Sequence, residues 1–355
     1  MNNRTEPAQA FHIRAAYSGH LTDERALKRS SSGGAASALS AQIIRSGGVV
    51  FGAAYTADFR GAEFRCARTE DELEALRGSK YITARKTVTL DGEEMSVYRA
   101  VGQMLCGGVR VLFIGLPCEV AALDAYLAKN AVPRDTLYTA DLICHGPTDP
   151  RIQADTVAAL EKKYQSRITA FSVRYKARGW TPPYLYARFA NGREHRELFY
   201  ESDMGFAFKY YTKSACYSCR FKGSAHTADL TLGDYWGCRE GMEDYHPLGV
   251  SVLLIRTERG QQLADMLEAD SAFHLRPTDA SYAIGCNRSF FQCREKPAEW
   301  DAFDRDLAEH GLHYAVTHHP QYKTYRMTAC RRMIKMCIPP PLIKWVRQRK
   351  RGKRK

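Results

Sequence analysis

Short apolar runs closed by turn residues recur through the first half of the chain, and between them the apolar spacing becomes helical. That alternation constrains the fold more than any other feature. GGVVFGAAY (47–55), RVLFIGLPC (110–118), LYTADLIC (137–144) and ITAFSVRY (168–175) each have the length and apolar content of a buried parallel strand. The segments 35–45, 95–106, 120–129 and 151–164 read as helices, the first after a Ser/Gly turn, the third after Pro-Cys and the last after Pro150. Parallel strands need crossover connections, so strands that alternate with helices imply a parallel sheet. The expected class is α/β, a largely parallel sheet flanked by helices.

Beyond about residue 168 the strands shorten and the fold gains an α+β extension. YLYARFANGREH (184–195) reads as a β-hairpin turning at Asn191-Gly192. VSVLLIRT (250–257) reads as another buried strand, followed by a helix at 258–268, and 297–313 as a final amphipathic helix. With 355 residues the chain has room for two domains or one large core. The expected division is an N-terminal segment with a first strand (1–29), an α/β part (30–167), an α+β part (168–320) and a basic tail (321–355). No internal repeat interrupts it.

The net charge of +13 has one address. Of the 52 Lys and Arg, thirteen lie between Tyr322 and Lys355 with no Asp or Glu, which leaves 39 basic residues against 39 acidic ones elsewhere. A neutral body does not support a nucleic-acid-binding face across the fold, so no specific nucleic-acid partner is expected. The first twenty residues hold no apolar run of signal-peptide length and no segment reaches the ~18 apolar residues of a membrane helix. A cytoplasmic location is expected, and the 11 cysteines then read as ligands, reactive thiols or small core residues rather than disulfides.

Two of those cysteines stand directly after apolar strands: Cys118 in Gly-Leu-Pro-Cys and Cys144 in Leu-Ile-Cys-His-Gly-Pro. In a parallel sheet the carboxyl ends of strands share one rim, where ligands bind in open α/β folds. Cys216-Tyr-Ser-Cys219 adds two thiols on one turn. Four thiolates suit a 4Fe-4S cluster, and they equally suit a structural zinc, which more often takes two close Cys-x-x-Cys pairs. Spacing leaves both open. Cys118 has a third reading, because a thiol opening a helix meets amides that lower its pKa, and His145 on the same rim would complete a Cys/His nucleophile.

Other signals are weaker. Ser31, Ser32, Gly33 and Gly34 open a helix, where free amides favour a phosphate and where Ser is also an ordinary cap. Arg77-Gly-Ser-Lys-Tyr81 is a second small-residue loop with a cation, or a plain turn. In Asp229-Leu-Thr-Leu-Gly-Asp-Tyr-Trp-Gly237, Asp234 has the chemistry to hydrogen-bond a cofactor and Trp236 to cover one, or Trp236 belongs to the core.

Seven motifs in order resemble one family. SSSGG (30–34), RGSKY (77–81), IGLPCEVAAL (114–123), DLICHGP (141–147), KARGW (176–180), CYSCRFKG (216–223) and DLTLGDYWG (229–237) resemble the coenzyme F420 hydrogenase/dehydrogenase beta-subunit family, and the likeness runs from about residue 12 to about residue 319. The resemblance implies a flavoprotein oxidoreductase that holds FAD and a 4Fe-4S cluster and passes electrons to a hydride-accepting substrate. Bacterial relatives include proteins encoded with polysaccharide-synthesis enzymes. It implies Cys118, Cys144, Cys216 and Cys219 as cluster ligands, and flavin surroundings at Ser31, Ser32, Gly33, Gly34, Ser79, Lys80, Tyr81, Gly115, Pro117, His145 and Asp234, so that 30–167 becomes the flavin-binding part. Many relatives begin with a Cys-rich ferredoxin-like segment, whereas residues 1–29 contain no cysteine. A separate ferredoxin or another subunit is then the expected electron donor. The alternative reading is a membrane-attached assembly protein of polysaccharide synthesis with a structural metal and no turnover.

The tail adds a last expectation. Residues 326–337 put Met327, Cys330, Ile334 and Cys337 on one helical face with basic residues elsewhere, and Trp345 follows three prolines. That is an interfacial pattern, and a basic cluster gains about 1 kcal/mol per residue near an anionic membrane surface.

Overall fold

The computed structural model describes residues 11–328. Its strands are β1 (Ala15–Leu21), β2 (Val49–Tyr55), β3 (Ala62–Ala67), β4 (Ala84–Arg85), β5 (Thr87–Leu90), β6 (Glu93–Ser96), β7 (Val111–Gly115), β8 (Leu137–Leu142), β9 (Ile168–Tyr175), β10 (Tyr184–Phe189), β11 (Glu194–Leu198), β12 (Leu230–Asp234), β13 (Ser251–Ile255) and β14 (Phe273–Pro277). Among the described residues nine of them form one mixed sheet in the order β14-β1-β13-β12-β8-β7-β2-β3-β4. Its centre, β12-β8-β7-β2, is parallel. β13 and β1 extend it antiparallel on one side, and β3 pairs antiparallel with β2 on the other. The fold is α/β, with helices against the sheet and small antiparallel sheets beside it.

Strands at the centre are apolar throughout because both sheet faces are covered. In β7, Val111 and Phe113 point into a core with Val120 and Leu123 of the helix Pro117–Lys129, while Leu112 points to the other face with Leu39 and Ile43 of the helix Ala35–Arg45. The stacked rings of Phe64 and Phe113 anchor the first core. Truncating a buried Phe of this kind to Ala typically costs ~3–5 kcal/mol. The helix at 258–268 is found as expected, and the segment 297–313 forms two helices, Trp300–His310 and Leu312–His318, separated by Gly311.

One expected parallel strand is not one. The segment 168–175 lies outside the main sheet, as β9 of a separate antiparallel sheet with the hairpin β10–β11. Its sequence carried the warning, since polar residues alternate with apolar ones in ITAFSVRY and the strand is buried on one face only. The hairpin turns at Asn191-Gly192, as expected.

At the sheet's other end, His20 of β1 packs against His246 and His274 of β14, with ring centroids 4.6 Å and 5.2 Å away. Burial pushes His20 and His246 below the ordinary histidine value. No helix among the described residues is long and apolar enough to cross a membrane. A helical stretch at 322–328 ends the described chain, and most of the interfacial pattern at 326–337, with Trp345 and the basic terminus, lies outside the described residues.

Candidate functional site

Parallel strands β7 and β8 leave the sheet side by side, which brings Cys118 and Cys144 to the same rim. After β7, Pro117 occupies the first helical turn, where a missing N–H costs nothing. The Leu116 N–H donates to Glu119 Oε2 at 2.8 Å, and Glu119 is ion-paired with Lys86, so the helix start that carries Cys118 is pinned. Cys216 and Cys219 come from the short helical turn Ser214–Ser218 and the residue after it, downstream of the helix Asp203–Tyr210.

A glycine lets that turn close on the rim. Gly146 has a φ of 109°, and a Cβ there would stand 3.1 Å from Cys216 Cβ. The Lys213 N–H donates to Pro147 O at 3.0 Å and ties the two loops. Backbone donors reach the sulfurs: Gly146 N–H to Cys144 Sγ at 3.3 Å and Phe221 N–H to Cys219 Sγ at 3.4 Å. Lys222 Nζ donates to the carbonyls of Cys144 and Ser289.

Burial pushes the Cys118 thiol up to about 11 and the Cys144 thiol up to about 12, and raises Cys216 as well. Neighbouring thiols add to each shift, Cys219 and Cys216 acting on Cys118, Cys118 and Cys216 on Cys144, and Cys219 on Cys216. Each of the four sulfurs is therefore within electrostatic reach of at least two of the others. Among the described residues no three or more His, Cys, Asp and Glu side chains are grouped so as to hold a metal ion, so the thiols are neighbours and not a closed cage. Any metal taken up here would have to displace thiol protons.

Two features bear on the nucleophile reading of Cys118. Desolvation pushes its thiol up, against the effect of a helix start, although the residue as a whole is exposed. Arg294 Nη1 donates to His145 Nε2 at 2.8 Å, and burial, then Arg294, push the imidazole down to about 4. The His145 ring stacks on Phe208 at 4.4 Å, and Phe208 stacks on Tyr81 at 4.2 Å, so a three-ring column joins Cys144's neighbour to the 77–81 loop.

The two small-residue loops meet where Ser31 Oγ and Ser79 Oγ lie 2.9 Å apart. Ser32 Oγ donates to Val250 O at 2.6 Å, and Gly33 N–H donates to Ser251 Oγ at 3.0 Å. Gly33 is required by close approach: a Cβ there would stand 2.1 Å from Gly19 O. Gly34 precedes the helix Ala35–Arg45. Lys80 is buried, with its ammonium held by the carbonyls of Leu76 (2.8 Å), Arg77 (2.8 Å) and Gly78 (3.1 Å), so its charge organises its own loop. Lys176, also buried, donates to Leu27 O (2.7 Å) and Ser32 O (2.6 Å) and ties the KARGW segment to the Ser-Gly loop.

Asp234, at the end of β12, accepts from Arg174 Nη1 at 2.6 Å and from Trp180 Nε1 at 3.3 Å. Trp236 is not in the core. It is 48% exposed and stacks on Trp180 at 4.9 Å with the rings 9° from parallel. Gly115 has Phe113 and Glu119 packed where a side chain would go. The structure thus joins Ser31 to Ser79, links Tyr81 to His145 through Phe208, and leaves Lys80 and Asp234 engaged with protein partners. Sequence reasoning passed over Phe208, Arg174, Lys222, Arg294 and Cys293, whose thiol donates to Cys219 O at 3.5 Å. Lys222, inside CYSCRFKG, and Lys176, inside KARGW, were the ones that lay in a motif.

The fold is a mixed α/β sheet with two strand-end thiols and a Cys-x-x-Cys turn beside small-residue loops. Residues 16–89 match the model for the N-terminal part of the coenzyme F420 hydrogenase/dehydrogenase beta subunit, and residues 108–281 match the model for its C-terminal part. The chain belongs to this family and is an oxidoreductase of the F420 hydrogenase/dehydrogenase beta-subunit type. Among solved structures it is similar in fold to a chain of the F420-reducing [NiFe] hydrogenase complex from Methanosarcina barkeri, with a TM-score of 0.51 and 16% identity over 89% of this chain and 92% of that one. No curated protein sequence matches the chain.

Proposed function

We propose that the protein is an iron-sulfur flavoprotein in which Cys118, Cys144, Cys216 and Cys219 hold a 4Fe-4S cluster and the loops 30–34 and 77–81, with Gly115, Pro117, His145 and Asp234 nearby, surround FAD. The observation that carries this reading is geometric: the loops that carry Cys144 and the Cys216–Cys219 turn are tied by Lys213 N–H on Pro147 O and pack at Gly146, and N–H groups donate to two of the sulfurs. Such N–H bonds and a nearby cation offset the charge of thiolate ligands, and Lys222 lies close enough to lower the Cys144 and Cys216 thiols. A cluster supplies single electrons and a flavin exchanges them for a hydride. The chain's own part is to fix the loops, which Ser31, Ser79, Lys80 and Lys176 do, and to pack the Tyr81–Phe208–His145 column between loop and rim.

For the hydride acceptor we propose coenzyme F420 or another compound, such as an intermediate of a surface-polysaccharide pathway. For the electron source we propose a ferredoxin or another subunit, a reading supported by the structural neighbour's membership of a hydrogenase complex. Protein purified without oxygen is expected to contain iron and sulfide in a ratio near one, flavin, and a broad absorbance in the visible. Zinc without iron or sulfide would sink the cluster and favour a structural metal. The basic tail is proposed to rest on an anionic membrane surface; salt-sensitive vesicle binding should vanish when residues 321–355 are removed, and unchanged binding would reject it.

A further inference from the structure

The turn that carries Cys216 and Cys219 is cationic and lacks carboxylate partners. From Met204 to Thr227 the chain has Lys209, Lys213, Arg220 and Lys222 and no Asp or Glu. The segment 286–294 packs beside it, through Cys293 on Cys219 O and Lys222 on Ser289 O, and adds Arg288 and Arg294. Elsewhere the body's charges are widely paired, as in Arg60–Glu161, Arg134–Asp124 and Arg174–Asp234. Among the described residues none of these six cations has an ion pair of its own.

The six divide by burial. Lys222 and Arg294 point inward, Lys222 to the Cys144 and Ser289 carbonyls and Arg294 to His145 and the carbonyls of Phe208 and Lys209, so their charge serves the rim itself. Lys209, Lys213, Arg220 and Arg288 are exposed. Arg288 holds only Gln292, at 2.9 Å, and Lys209 lies over the rings of Tyr210 and Tyr325. Within the same patch Phe291 is 40% exposed, with its Cβ 3.9 Å from where a Cβ on Gly223 would stand. Phe291 is thus an exposed ring against the Gly223 end of a segment whose exposed cations lack ion pairs, and such a charge pattern complements an acidic partner.

We propose that this face docks a small acidic electron-carrier protein, with Lys213, Arg220 and Arg288 meeting its carboxylates and Phe291 packing against its surface. The proposal rests on the redox reading of the four cysteines for its choice of partner, and on the charge pattern for its location. Charge complementarity commits the site to an acidic protein, because steering by such a patch sets association rate and salt dependence.

The test measures binding of the full chain to a purified acidic ferredoxin at low and high salt. Binding should weaken at least tenfold in Lys213→Glu/Arg220→Glu, and by several-fold in Phe291→Ala. It should be unchanged in Lys162→Glu/Lys163→Glu, which alters exposed charges on another helix. Thermal unfolding of each variant checks that it folds. Equal affinity of the Lys213/Arg220 variant and the parent overturns the proposal, as does loss of affinity equal to that of the Lys162/Lys163 variant. So does equally tight, patch-dependent capture by phosphatidylglycerol vesicles, since the face would then serve any anionic surface. Iron and flavin contents are measured on the same samples. Their absence with patch-dependent binding retained would refute the cofactor reading while leaving the docking face standing.

Discussion

The strand-end rim and the small-residue loops are both polar places in an apolar sheet, yet they use their polarity differently. In the loops nearly every polar group already has a protein partner: Lys80 has three carbonyls, Lys176 two, Ser32 the Val250 carbonyl, and Asp234 both Arg174 and Trp180. On the rim, backbone N–H groups donate to the sulfurs of Cys144 and Cys219, and Lys222 donates to the carbonyl of Cys144 itself. The contrast teaches that a self-satisfied polar network of side chains holds a shape, whereas the rim's donors meet soft sulfur acceptors that leave its thiols free of side-chain partners of that kind.

The largest effect that would break this contrast is on metal content. Cys216→Ser/Cys219→Ser should reduce iron and sulfide to near background while leaving urea unfolding of the metal-free chain within about 1 kcal/mol of the parent. Cys106→Ser, exposed at the end of the helix Val97–Cys106 that precedes β7, should retain both. Iron retained in the double variant would show that the rim thiols are bystanders.

The loops should answer in stability. Lys80→Met removes the buried ammonium from three part-buried carbonyls and should cost ~2–3 kcal/mol by urea titration, more than either single rim substitution. A loss smaller than that of Cys219→Ser would invert the comparison.

The smallest effect lies at the far end of the sheet, outside both regions. His20 is depressed by burial and by His274, with Asp244 opposing, and His246 by burial, His20 and Lys176, with Glu24 opposing. Both folded values lie below 6.5, so under that pH the unfolded chain binds more protons and stability falls as pH drops through the folded values, with no contribution above 6.5. His20→Asn should flatten the decline of melting temperature between neutral and mildly acid pH. An unchanged slope would remove the histidines from the account.

Local pattern made the central strands and the rim legible. Continuous apolar runs marked β2, β7 and β8, and a cysteine shortly after two of them marked the rim those strand ends share. The same reasoning misplaced 168–175, because it weighed apolar content over alternation. It left Trp236 open between core and surface, because its exposed stack on Trp180 involves a residue 56 positions earlier. Lys80 looked available because a sequence does not reveal that an ammonium will turn back on its own loop. Phe208 and Arg294 were invisible for a different reason: each acts on His145 from a remote element, and neither sits in a pattern that periodicity detects.

The column of Tyr81, Phe208 and His145 has a mechanical consequence. Face-to-face rings at 4.2 Å and 4.4 Å leave no slack, and close-packed interiors transmit displacement instead of absorbing it. The column acts as a strut between the 77–81 loop and the peptide that carries Cys144. Whatever presses on that loop is felt at a sulfur on the far side of the strut, so neither end has an adjustment private to itself.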